Sequence, residues 1–467
     1  MSDHFSFKVP GAHFIPSVRN KIWDGYIRLF NKKGNLIYAG LRGKIKSFCS
    51  DREYTYSEDN SFVANSFSIY EAKEFVETLP LSMTPHDYQI STLAKGIRDK
   101  RRLFLSPTSS GKSFSIFLLV KYLNRKTLII VPRTQLVDQL SKDFMEYDGS
   151  KTIENDIHQI YSGQSKDTPK RIVISTWQSI TKMPDEWYHQ FDVIVGDECH
   201  AFKAKSLVNI MEKTTKSEYK FGFTGTLDGS FTNAMILEGL FGSVDKVITT
   251  DELMKRKVIA ELSIKSIILD YPDEIRKEMK KSKIDPKKKI TYQEEIDFLV
   301  QNKLRNNFIA NLAHSLDGNV LVLFRYIDKQ GFYLNELMNS KNKDRTGIYY
   351  IHGESDENVK FDIKNIIDSQ NRAIITASLG VFSEGVNIKN INHIIFASPS
   401  KGRIKVLQSI GRGLRISENK SSMILYDIAD DLSMKAYTNH TLKHYAERIK
   451  IYNEEKFNYK QYRVQIK

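Results

Sequence analysis

Apolar residues in this chain gather into short runs, separated by longer stretches with helical spacing. One series comprises Leu103-Phe104-Leu105, Thr127–Val131, Ile172–Ser175, Val193–Val195 and Phe221–Thr224. A second comprises Val320–Phe324, Ile348–Ile351, Ala373–Thr376, His393–Ala397 and Met423–Tyr426. Short apolar runs without polar alternation suit strands buried on both faces, and strands alternating with helices suit a parallel sheet. The pattern predicts two α/β units in tandem, over 81–260 and 318–430, with 261–317 as a linker that opens the second.

The flanks read differently. Within 1–80, turn signals at Pro10-Gly11, Asp24-Gly25 and Lys33-Gly34-Asn35 divide aromatic and β-branched residues into a small sheet. A short helix is expected near Lys44–Phe48, and Pro80 and Pro85 mark a boundary. After 431, Tyr437, Leu442, Tyr445, Ile449 and Tyr452 form a loose helical stripe, which predicts a helical tail packed on a core. The expected fold class is α/β: a small N-terminal α/β domain, two parallel-sheet lobes and a C-terminal helical tail.

Charge changes this picture. The 467 residues carry 70 Lys+Arg against 56 Asp+Glu, a net charge of +14. Residues 1–52 alone hold ten Lys/Arg and three Asp/Glu, an excess of seven in a segment that also contains Trp23, Tyr26, Phe30 and Phe48. A basic, aromatic-rich block points to nucleic acid, and Lys21, Arg28, Arg42, Lys44 and Lys46 are its expected phosphate contacts. The run Arg276–Ile290, with eight Lys/Arg and two Asp/Glu, reads first as a solvated linker. Apolar stretches such as Phe117–Val120 fall far short of the roughly 20 residues that cross a bilayer. Met-Ser-Asp-His at the start offers no secretory signal, and Cys49 and Cys199 are too few for a disulfide framework. A soluble cytoplasmic protein without membrane contacts is expected.

The strongest local signal is Ser106-Pro-Thr-Ser-Ser-Gly-Lys-Ser113, between the run Leu103–Leu105 and an apolar helix at Phe114–Tyr122. Strand, loop and helix in that order form a phosphate cradle of backbone N–H groups and a helix N-terminus. Thr108, Ser109, Ser110 and Gly111 would supply the cradle, Lys112 would neutralise β/γ charge and Ser113 would offer an oxygen to Mg²⁺. Ser106 stands where this loop usually begins with Gly. Asp197-Glu198-Cys199-His200 follows the strand Val193–Val195, at the edge where open parallel sheets bind ligands. Asp197 would hold the metal and Glu198 would activate a water. Both motifs on one predicted sheet make ATP hydrolysis the leading reading.

These residues resemble the DExH-type superfamily 2 helicases over most of the chain, which implies RecA-like lobes. His86-Asp-Tyr-Gln89 resembles the adenine-reading segment, with Gln89 as the contact. Val131-Pro-Arg-Thr-Gln-Leu-Val-Asp-Gln139 and Ser175-Thr-Trp-Gln178 resemble strand-contacting motifs, which implies nucleic-acid contacts at Arg133, Thr134, Gln135, Thr176 and Trp177. Thr224-Gly-Thr226 resembles the coupling motif, with His200 as a polar coupler. Thr376 through Ser383-Glu-Gly-Val-Asn387 resembles a further motif, implying a nucleic-acid contact at Thr376 and nucleotide contacts at Gly385 and Asn387. Gln408-Ser-Ile-Gly-Arg-Gly-Leu-Arg415 resembles the last, in which Gln408 joins catalysis and Arg412 and Arg415 reach the γ-phosphate.

Ile22-Trp-Asp-Gly-Tyr-Ile-Arg-Leu29 and Gly43-Lys-Ile-Lys-Ser-Phe-Cys49 are similar to the N-terminal substrate-binding domain of the UvsW helicases of T-even-like bacteriophages. That resemblance implies an ATP- and Mg²⁺-dependent monomeric motor that unwinds and branch-migrates DNA, with Holliday-type junctions, forks and R-loops as substrates. Its partners would be branched or single-stranded DNA and RNA–DNA hybrids. Two rivals stay open. One is a related motor, either an RNA helicase or a restriction-system subunit. The other is a non-enzymatic basic nucleic-acid-binding protein with a vestigial site, against which the intact Lys112, Asp197, Glu198, Arg412 and Arg415 argue.

Overall fold

Alternation inside each buried strand determines how the first unit is layered. Phe104, Ile129, Val131, Ile172, Ile174, Val193 and Val195 enter one core, while Leu103, Leu128, Ile130, Val173 and Ile194 enter another on the opposite face. In the computed structural model, which describes residues 1–9, 11–59, 65–161, 163–203, 205–227, 231–281, 289–341, 344–384, 390–398, 402–414, 420–434 and 437–467, these strands form one seven-stranded sheet. Its order is Val244–Lys246, Arg101–Leu105, Tyr219–Thr224, Val193–Gly196, Thr127–Val131, Ile172–Thr176 and Ile157–Ile160, parallel throughout. Helices cover both faces, as two-sided burial of a parallel sheet requires.

The chain divides into two compact units, Met1–Ile248 and Thr249–Lys467. The second unit holds another seven-stranded parallel sheet, ordered Ile348–Ile351, Ile374–Ser378, Val320–Phe324, His393–Phe396, Ser422–Asp431, Glu261–Asp270 and Asn458–Gln465. Glu261–Asp270, expected in the connecting segment, is thus a ten-residue strand of this sheet. The tail differs from the predicted all-helical one, because Asn458–Gln465 follows helix His440–Glu454 and pairs alongside Glu261–Asp270. Buried ion pairs of Arg448 with Asp427 and of Arg305 with Asp430, each at 2.8 Å, tie flanking helices to strand Ser422–Asp431. Desolvated pairs of this kind fix register more surely than they add stability. Part of the basic run Arg276–Ile290 lies outside the described residues; Asp273–Lys281 is a helix.

Residues 1–59 do not form a separate core. Two short antiparallel pairs, Ser6–Lys8 with Tyr26–Arg28 and Phe30–Asn31 with Leu36–Ile37, precede helix Arg42–Ser50. Phe5, Leu29, Leu41 and Phe48 are buried in the same cluster as Leu103, Leu128 and Phe241 of the first sheet's layer. Tyr38 donates to Glu212 Oε1 at 2.6 Å and Lys44 pairs with Glu238 at 3.1 Å. A block of this size is marginal alone, and the lobe completes its core.

Gly40 marks the closest approach. A Cβ there would run into the Glu238 carbonyl and lie 2.7 Å from both Gly239 O and Gly242 N, all backbone atoms of the helix Phe231–Phe241 and its end. Gly40→Ala is therefore expected to destabilise the first unit by about 1–3 kcal/mol, the range for overpacking a fixed backbone. Urea denaturation of the full chain measures this; a change under about 0.5 kcal/mol would mean that the block is only loosely held.

Candidate functional site

The phosphate loop is held from three sides. Strand Arg101–Leu105 enters it and helix Lys112–Leu123 leaves it. Ser106 N donates to Thr224 O at 2.9 Å, fixing the entry to the neighbouring strand. Ser109 and Gly111 take left-handed φ values of 68° and 74°, which curl the peptide N–H groups inward as an anion-binding turn needs. Gly is favoured at 111 by that left-handed φ, and its missing Cβ leaves room for Gln89 Nε2. Ser106 is buried, and its hydroxyl lies 2.5 Å from Ser110 Oγ. Ser110 itself donates to Pro107 O at 2.7 Å, so Ser106 is the donor of the pair. The departure from Gly at 106 is absorbed by that internal bond. Thr108 lies half-buried on the same loop.

Gln89 is the brace. Its Oε1 accepts from His86 N at 2.8 Å, and its Nε2 lies 3.2 and 3.3 Å from the carbonyls of Ser110 and Gly111. Tyr88 OH donates to the Ser110 carbonyl at 3.0 Å. An adenine contact by Gln89 would therefore compete with its loop contacts. Tyr88 was not singled out from sequence, although it lies within the quoted segment His86–Gln89.

Across the sheet edge, Asp197 and Glu198 leave strand Val193–Gly196. Glu198 sits at φ 47°, a strained conformation for a non-glycine residue and of the kind concentrated at functional sites. Lys112 Nζ lies 3.9 Å from Glu198 Oε1 and 3.4 Å from the Ser106 carbonyl. His200 Nδ1 lies 3.3 Å from Glu198 Oε2 and 3.0 Å from Thr224 Oγ1. Thr224 Oγ1 donates to Thr226 O at 3.0 Å, which leaves it to accept from a protonated Nδ1. His200 thus spans Glu198 and the segment Thr224–Thr226. Cys199 is fully buried, and burial pushes its thiol well up, so it carries no nucleophile.

Burial lifts the Asp197 carboxyl to about 6, the Glu198 charge adds to the rise and Lys112 opposes it. A divalent cation would hold such a carboxylate ionised. Asp197 and the Ser113 hydroxyl offer the hard oxygen donors that Mg²⁺ takes together with phosphate oxygens and water, so the residues present fit that ion. Among the described residues no three His, Cys, Asp or Glu side chains gather as an all-protein cage.

A second feature lies in the same unit. A cleft of about 630 Å³ is lined by Pro132, Arg133, Thr134, Gln135, Thr176, Gln178 and Ser179. It includes the first residues of helix Thr134–Tyr147, whose N-terminal N–H groups and dipole favour phosphate. Two segments far apart in sequence meet there because strands Thr127–Val131 and Ile172–Thr176 are neighbours. Trp177 is not in the lining; its half-buried indole packs partly on the core.

Thr376 needs correction. It lies inside strand Ile374–Ser378, fully buried between Val322 and Tyr350, where its side chain cannot meet a nucleic acid. Four of the five basic residues picked in the N-terminal block are in ion pairs: Arg28 with Asp24, Arg42 and Lys46 with Glu58, and Lys44 with Glu238. Exposed pairs of this kind are weak and open to exchange for phosphate. Lys21 is exposed and makes no ion pair among the described residues. Gly385, Asn387 and Arg415 lie outside the described residues, as do the side chains of Gln408 and Arg412, whose backbone belongs to helix Arg403–Gly413.

A phosphate loop, a strand-end acidic pair and a polar link to the next strand, on the first of two parallel-sheet units, define a superfamily 2 helicase motor. Sequence comparison places it further. The family "Type III restriction enzyme, res subunit" matches residues 82–229, "Helicase conserved C-terminal domain" matches 302–417 and "DNA helicase UvsW, N-terminal" matches 1–59. The ATP-dependent DNA helicase uvsW of enterobacteria phage T4 is 34% identical, over 98% of this chain and 94% of its own length. The DNA 3'-5' translocase XPB2 of Sulfurisphaera tokodaii is 24% identical over 72% of this chain and 80% of its own. The crystal structure of T4 UvsW aligns with a TM-score of 0.50 at 34% identity, covering 99% of this chain and 94% of that one. The DNA-bound type ISP restriction-modification enzyme LlaBIII aligns at 0.60 with 16% identity, over 82% of this chain and 32% of that one, and speaks for the fold alone. The chain belongs to the UvsW family of superfamily 2 helicases.

The position of Asp197 predicts a pH effect in nucleotide- and metal-free protein. Its folded pKa of about 6 lies above the unfolded value of about 4. Between those values the folded state holds the extra proton, so stability falls as pH rises through the window. Asp197→Asn should gain roughly 1–3 kcal/mol over the wild type between about pH 4 and pH 7, by urea denaturation at each pH. A gap that stays constant with pH would mean that Asp197 titrates normally.

Proposed function

We propose that this protein is an ATP-driven DNA helicase that unwinds and branch-migrates branched DNA. The observation that carries the reading is the convergence of Lys112, Glu198, His200 and Thr224 on the sheet edge that also bears the cleft at Arg133–Gln135. The relatives' descriptions as an ATP-dependent DNA helicase and a DNA translocase support it.

The chemistry follows from the groups present. The loop N–H groups and Lys112 bind the phosphates and neutralise charge as it develops on the leaving group. Glu198, aimed by its strained backbone and contacted by His200, orients water and takes its proton. Asp197 and Ser113 would hold Mg²⁺, which when bound would supply neutralisation of phosphate charge. His200 bonds Thr224 and lies 3.3 Å from the base, so a change in Glu198 can reach the segment Thr224–Thr226. The cleft at Thr134 and Thr176 is suited to backbone phosphates, whose recognition carries no base sequence. The N-terminal block supplies the choice of substrate: its excess of positive charge sits beside exposed Phe14 and Ile22, at 67% and 79% exposure. Because the block shares the lobe's core, its role is tested by side-chain substitution and not by deletion.

The deciding experiment is ATPase turnover with single-stranded DNA, a four-way DNA junction, RNA and an RNA–DNA hybrid at equal nucleotide concentration. DNA, and the junction most, should stimulate; preference for RNA alone would favour an RNA helicase, and no stimulation a binding protein. In the same assay Glu198→Gln should keep nucleotide affinity and lose about 10²–10⁴ in kcat, and near-normal turnover would remove Glu198 as the base. Lys21→Ala should reduce the slope of log junction affinity against log salt by about 0.9, the loss of one phosphate contact. An unchanged slope would place Lys21 in solvent.

A further inference from the structure

Ser113 has a partner that the phosphate loop does not explain. Its Oγ lies 2.7 Å from the hydroxyl of Tyr147, which ends the helix Thr134–Tyr147. Tyr147 is only 9% exposed, and its ring is clamped against Phe114 at 4.7 Å and Phe117 at 5.7 Å. Its backbone is pinned as well, because the Tyr147 carbonyl accepts from Ser82 N at 3.1 Å and Asp148 accepts from Thr152 N and Ile153 N at 2.9 Å. The hydroxyl is therefore presented to Ser113 from a rigid support, with little rotational freedom in either ring or chain.

A serine oxygen that coordinates a cation does so with a lone pair, and its proton must then point away from the ion. That proton needs an acceptor, because a buried donor without one carries a desolvation penalty. Tyr147 OH lies where such an acceptor is required. We propose that Tyr147 is a positioning residue: its hydroxyl oxygen accepts a hydrogen bond from Ser113 Oγ–H and turns the Ser113 lone pair toward the metal of the nucleotide site. This rests on the reading of Ser113 as a metal-facing hydroxyl in the function proposed above. Outer partners that orient a ligand in this way commonly alter metal affinity by 10–100-fold. No bond is made or broken; the tyrosine acts only through the orientation of the serine.

Tyr147→Phe tests this, because it removes the acceptor and keeps the ring that packs on Phe114 and Phe117. The readout is the affinity of the full chain for a fluorescent non-hydrolysable ATP analogue, with Mg²⁺ and with EDTA. In the wild type Mg²⁺ should tighten binding; its failure to do so would overturn the function reading and this proposal together. With that gain established, Tyr147→Phe should reduce it by roughly tenfold and leave the affinity in EDTA unchanged. An undiminished gain, or an equal loss with and without Mg²⁺, would overturn the proposal and leave the function reading intact. Ser113→Ala provides the second variant: adding Tyr147→Phe to it should cause no further loss, whereas additive losses would show that Tyr147 acts elsewhere. Thermal melting of each variant confirms that the first unit is folded.

Discussion

Parallel strands buried on both faces leave their loops nowhere to go but the two edges of the sheet. In the first unit this constraint sends the ends of Arg101–Leu105, Thr127–Val131, Ile172–Thr176, Val193–Gly196 and Tyr219–Thr224 to one edge. The first unit's phosphate loop, acidic pair, Thr224 and the cleft at Arg133 all lie there. Phosphate-binding and nucleic-acid-facing groups share an edge because the sheet has one direction. A mixed sheet would have divided them between its ends.

The edge is also where the structure tolerates strain. Ser109 and Glu198 hold left-handed backbone, and Asp197 is a carboxylate with too little compensation for its burial. The loop is stabilised by neighbours that are not themselves strained. Gln89 and Tyr88 fix the loop carbonyls, and the bond from Ser106 N to Thr224 O joins the loop to the adjacent strand. This arrangement keeps a negative site poised for a cation, which relieves the electrostatic penalty that the fold imposes.

The N-terminal block shows how position can convert a general property into a specific one. Basic charge alone says nothing about geometry. Here Phe5, Leu29, Leu41 and Phe48 lock the block onto a face of the first sheet, and Gly40 lets its backbone meet helix Phe231–Phe241 without a side chain between them. Its cations are therefore held in a set orientation relative to the sheet edge. Several of them are tempered by Asp24, Glu58 and Glu238, so the effective charge is lower than the count of residues implies.

The two-lobed parallel architecture, the phosphate loop and the strand-end acidic pair were legible in the sequence, because each depends on residues close together in the chain. Short apolar runs report two-sided burial, and Gly-Lys-Ser after such a run reports a turn into a helix. Thr376 could not be placed in this way: a motif position tells which strand or turn a residue occupies, but not which face it takes once neighbours pack. The strand Asn458–Gln465 was missed for a related reason, since its exposed, polar edge carries no apolar run. Gln89 against the loop, Glu58 against Arg42 and Lys46, and Tyr147 against Ser113 join residues 12 to 34 positions apart. Such partnerships depend on the packing of one element against another, and no local pattern records them. The sequence by itself determined what chemistry this protein can carry; the tertiary structure decided which side chains stand close enough to perform it.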